Sequence, residues 1–85
     1  MSISYHIYID DVEKNKDAVG KDQPVEMEIM DLESLTWKHA RVLLSKEPIE
    51  GGKSAAILSM FGSILEEGEW HVKIIEELPS PLEDD

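Results

Sequence analysis

Residues 54–75 read SAAILSMFGSILEEGEWHVKII, and the conformation of this stretch decides the fold. On a helical wheel turning about 100° per residue, Ile57, Leu58, Met60, Phe61, Ile64 and Leu65 fall within an arc of roughly 160°. The opposite arc holds Ala55, Ala56, Ser59, Gly62, Ser63 and Glu66. The pattern is that of a core-facing helix. Ser54 or Gly52 supplies its N-cap, and Gly68 stops it, because glycine accepts the left-handed conformation that closes a helix. Beyond Gly68 the period shortens. Trp70, Val72 and Ile74 alternate with His71, Lys73 and Ile75, which predicts a strand that buries Trp70, Val72 and Ile74 against the helix.

Upstream, Ile3, Tyr5, Ile7 and Ile9 alternate with Ser4, His6, Tyr8 and Asp10, the pattern of a half-buried strand. Residues 10–24 turn polar and are punctuated by Asn15, Gly20 and Pro24, which predicts a long, mobile connection. Val25, Met27 and Ile29 alternate with Glu26, Glu28 and Met30, a second strand that pairs antiparallel with the first. Asp31 is a candidate helix N-cap with Glu33 and Ser34 in the first turn. The helix it opens runs to Lys46, buries Leu32, Leu35, His39, Val42 and Leu43, and stops before Pro48. A linker, EPIEGG, leads to the second helix. The expected order is β-β-α-α-β: an α+β two-layer sandwich, with a three-stranded, mainly antiparallel sheet and both helices on one face. One domain covers residues 1–77. The tail at 78–85, LPSPLEDD, carries two prolines and a terminal acidic run and is expected to be flexible.

The 85 residues carry nineteen acids against eight bases, a net charge of −11, and no cysteine. Disulfides, thiolate catalysis and cysteine-based zinc sites are excluded. No apolar run approaches the ~20 residues that span a bilayer, and the start MSISYHIYIDD lacks the basic segment and cleavage site of a signal peptide. The expectation is a soluble, cytoplasmic protein. Its charge disfavours direct contact with nucleic acid or an anionic membrane and attracts basic protein surfaces.

Motifs of chemistry are sparse. GGKS at 51–54 matches the end of a phosphate-binding loop, but Glu47 stands where that loop needs its first glycine and a helix is expected before it. His6, His39 and His71 show no metal-ligand spacing; a site on the outer sheet face with His6, Tyr8, Glu28 and His71 is the enzymatic or metal-binding alternative. Nothing marks a serine as activated. No catalytic residue, metal or cofactor is expected.

The acids carry the functional reading. Glu26 and Glu28 project from one strand face roughly 6.5–7 Å apart, near the roughly 6–7 Å between neighbouring phosphates. Asp31, Glu33, Glu66, Glu67 and Glu69 are expected near helix ends, and Glu76, Glu77, Glu83, Asp84 and Asp85 follow with no compensating base. Trp37, at the edge of its helix beside Lys38 and Arg41, is a candidate interface anchor. The expected function is a non-enzymatic inhibitor that engages a basic, nucleic-acid-handling protein by nucleic-acid mimicry, as anti-CRISPR or anti-restriction proteins do. The alternative is an immunity or antitoxin protein that neutralises a basic toxin. Size and charge of this kind are also seen in small phage-encoded inhibitors and bacterial immunity proteins, an analogy of composition alone.

Overall fold

The computed structural model describes residues 3–79. Five strands, β1 (Tyr5–Tyr8), β2 (Val25–Asp31), β3 (Thr36–Ser45), β4 (Lys53–Leu58) and β5 (Ile64–Leu78), close into a barrel in the order β1-β2-β3-β5-β4. A short helix, α1 (Ile9–Lys14), and a 3₁₀ turn, Lys16–Ala18, lie between β1 and β2. Neighbouring strands are antiparallel except β1 and β4, whose parallel pairing closes the barrel. The two-layer α+β sandwich is therefore overturned. The segments expected as two long helices are strand and turn, and the sheet has five strands rather than three.

The first correction begins at Asp31. An aspartate followed by polar residues marks a helix N-cap and an Asx-turn equally, because in both its carboxylate accepts a nearby backbone N–H. Here Asp31 Oδ1 accepts the Glu33 N–H at 2.9 Å and the Asp31 carbonyl accepts the Leu35 N–H at 2.7 Å. Leu35, at φ 58°, turns the chain back. Along β3, Ala40, Val42 and Leu44 are buried while Trp37, His39, Arg41 and Leu43 alternate with them. The segment HARVLL satisfies helical and strand spacing alike.

The second correction lies in the opening stretch. Ala55, Ala56, Ile57 and Leu58 are all buried, and a short continuous apolar run of this kind cannot be assigned to helix or strand by period alone. At 59–63 the chain makes a tight turn. The Ser59 N–H donates to the Ser63 carbonyl at 2.8 Å, the Gly62 N–H donates to the Ser59 carbonyl at 3.0 Å, and Gly62 sits at φ 89°. Gly68, expected to end a helix, lies inside β5.

β5 curves to serve two neighbours, pairing with β4 through Ile64–Val72 and with β3 through His71–Leu78. Its register slips at Leu65, at Gly68–Glu69 and at Ile75, and such bulges sharpen local twist and bend. Inside the barrel, Ile7, Ile29, Val42, Ile57 and Val72 are fully enclosed, with Tyr5, Met27, Ala40, Leu44, Ala55 and Trp70 completing the core. Burial of each large apolar side chain is worth about 1.5–3 kcal/mol. The connection at 10–24 is not a bare loop: Val12 of α1 joins the core, Val19 packs against it, and the Gly20 N–H donates to the Leu44 carbonyl at 2.8 Å. Residues 80–85 of the expected tail, with Glu83, Asp84 and Asp85, lie outside the described residues. Among the described residues no helix is long and apolar enough to cross a membrane.

Candidate functional site

Closure turns alternate side chains outward, and the barrel's exterior carries every described charge; among the described residues no charged or polar one is buried. On the face formed by β2, β3 and the second half of β5, acids and bases are interleaved. Arg41 lies opposite Glu26 on one side and Glu76 on the other, and it forms an ion pair with Glu76. Lys38 Nζ lies 3.2 Å from Asp31 and 3.4 Å from Glu77. The Glu33 N–H, and then Lys38, hold the Asp31 carboxyl below its ordinary value; Asp31 and Glu77 in turn raise the Lys38 ammonium. Glu28 lies opposite His39.

A different group of carboxylates has no such partners. Tyr8, Asp10, Asp11, Glu28 and Met60 line an open depression of about 370 Å³. Partial burial raises the Asp11 carboxyl above its ordinary value; Glu28 and Asp10 add to the shift and Lys14 opposes it. Glu66, Glu67 and Glu69 follow on the first half of β5, where Glu66 accepts the Trp70 indole N–H at 3.0 Å. These acids were expected near helix ends; they stand on a strand. None of the six forms an ion pair among the described residues.

Trp37 is on β3 rather than a helix. Its ring stacks on that of Tyr8 with centroids 4.9 Å apart and planes 8° from parallel, and it remains 39 % exposed. Because β2 separates β1 from β3, the two rings reach across that strand from either side. Trp70 faces the core, with Lys46 Nζ 5.1 Å from its ring centroid.

Of the alternative site, Tyr8 and Glu28 do meet at the depression. His71 does not join them: on β5 it pairs with Ser45 and Ser54, whereas His6 lies opposite Ala56, whose own β5 partner is Glu67. His39, expected inside an apolar helix face, lies on the outside of β3 with Nδ1 3.2 Å from the Pro79 carbonyl. No group of three His, Asp or Glu side chains among the described residues could hold a metal ion. In GGKS, Gly51 and Gly52 end the turn and Lys53 and Ser54 begin strand β4, so a strand rather than a helix N-terminus follows the glycines. Gly51 adopts φ 81°, and a Cβ at Gly52 would lie 3.1 Å from the Ile49 carbonyl and 3.2 Å from that of Val72.

Sequence reasoning missed Asp10, Asp11, Met60 and Phe61. The signal for the last two was present: Gly62 and Ser63 directly after Met60 and Phe61 are turn chemistry between two apolar runs. No family model, no curated protein and no solved structure matches this chain.

Proposed function

We propose that this chain is a non-enzymatic binding protein that occupies a basic surface on a cytoplasmic, nucleic-acid-handling protein. One observation supports this above the others. Among the described residues, only Asp31, Glu76 and Glu77 are engaged in ion pairs, while the other carboxylates stand without one on a closed barrel. Side chains held on strands keep their spacing, so Glu26 and Glu28 stand at a separation close to that of successive phosphates, and Arg41, opposite Glu26 and ion-paired with Glu76, leaves Glu26 without an ion pair of its own among the described residues. The net charge of −11 accelerates encounter with a cationic groove. The absence of cysteine is compatible with a reducing compartment.

The test is capture of partners on immobilised protein at about 50 mM and about 500 mM salt, where screening shortens from over 10 Å to a few ångströms, with and without added nucleic acid. The expected result is retention that weakens in high salt and is displaced by nucleic acid. Retention indifferent to both refutes the proposal.

A further inference from the structure

Phe61 is 97 % exposed and Met60 68 %, and Ile64 and Leu65, just behind them, are 49 % and 52 % exposed. Large apolar side chains gathered in water at one place mark an interaction surface. The segment that carries them is tied down. Besides the two backbone hydrogen bonds of the turn, Ser59 Oγ accepts the N–H groups of Phe61 at 3.2 Å and Ser63 at 3.1 Å. A pre-shaped turn loses little conformational entropy when it docks.

Charge selects the occupant. On one side Met60 borders the depression with Asp10, Asp11 and Glu28. On the other, Glu66, Glu67 and Glu69 follow directly in β5. A second copy of the chain would bring the same carboxylates, none of them in an ion pair among the described residues, against these, and an anionic membrane would repel them, because juxtaposed like charges disfavour association. A cationic rim around an apolar slot meets both features at once. Resting on the basic-partner proposal above, we infer that the β4–β5 turn is the anchor of the interface: Phe61 and Met60 enter an apolar slot on the partner whose rim of lysine or arginine meets the six flanking acids. Anchors of this kind, central and apolar within a charged surround, carry most of the energy of an interface.

Two labelled synthetic peptides of equal length and charge test this by fluorescence anisotropy at low salt. One intersperses lysine with leucine, the other lysine with serine. The lysine–leucine peptide should bind at least tenfold more tightly. Phe61→Ser should erase that preference and leave the weaker, salt-sensitive binding common to both peptides. The triple variant Glu66→Gln, Glu67→Gln, Glu69→Gln should weaken both and flatten the salt dependence. Unchanged circular dichroism verifies that each variant is folded. Equal binding of the two peptides, unaffected by Phe61→Ser, overturns the anchor and leaves the basic-partner proposal standing. Failure of both peptides to bind overturns the anchor and the basic-partner proposal together. A dimer in sedimentation velocity that Phe61→Ser dissolves makes a second copy the occupant and overturns the inference.

Discussion

Gly62→Ala separates the barrel from a helical structure of residues 54–67 by the sign of one number. In a helix interior, replacing glycine by alanine stabilises by about 0.8–1 kcal/mol. In the observed turn Gly62 has φ 89°, a conformation in which a Cβ crowds the following carbonyl at a cost of about 1–2 kcal/mol. The lower chain entropy of unfolded alanine returns about 0.4–1 kcal/mol of that. The net expectation is a loss near 1 kcal/mol. Packing against the rest of the protein does not enter, because beyond its two chain neighbours a Cβ at this position would meet no atom within 4 Å. Urea unfolding, followed by the fluorescence of the buried Trp70, reads the effect directly. With a slope of about 1–2 kcal/mol per molar for a domain of this size, the midpoint should fall by about 0.5–1 M, and the melting temperature by about 4–8 °C. Gly62→Asn should lose less, since asparagine visits positive φ more readily. A Gly62→Ala protein more stable than the parent would refute the turn and the strand pairing built on it.

Two further substitutions probe the core and the acidic depression. Ile57→Ala removes a fully enclosed side chain from the centre of the barrel and should cost about 2–5 kcal/mol in the same urea assay; a loss under 1 kcal/mol would mean that β4 does not face the core. Asp11→Asn should stabilise at pH 7. Folding raises the Asp11 carboxyl above its usual 3.8, so the folded state holds its proton longer, and ionisation penalises folding increasingly as pH climbs from 3.8 through the folded value. The advantage of asparagine is then full at neutral pH and vanishes near pH 3. Stability that instead falls on substitution at pH 7 would refute a net penalty for the partly buried charge at this place.

Part of the fold was legible from alternation. The periods of Tyr5–Tyr8, of Val25–Met30 and of Trp70–Ile74 lie in strands of the barrel, because each pairs one apolar with one polar face and no helix satisfies that spacing. The Ala55–Leu58 run was not legible, since it is apolar on both faces. Nor was the segment after Asp31, where N-cap and Asx-turn share the same chemistry. For the site, the sequence placed Glu26 and Glu28 on one strand face, but the position of Arg41 between Glu26 and Glu76, where it pairs with Glu76, depends on the pairing of three strands.

By itself the sequence determined the net charge of −11, the absence of cysteine and the alternation of these short strands. The tertiary structure alone decided that HARVLL and AAIL are strands, that β1 closes against β4, and that Met60 and Phe61 stand in water beside unpaired carboxylates. The physical reason lies in where the backbone hydrogen bonds go. A helix satisfies them within a few residues, so its evidence is local. A strand satisfies them on partners far away in the chain, such as Val42 on Ile74 and Tyr5 on Ala55, and a segment compatible with both periods becomes a strand only when those partners are in place.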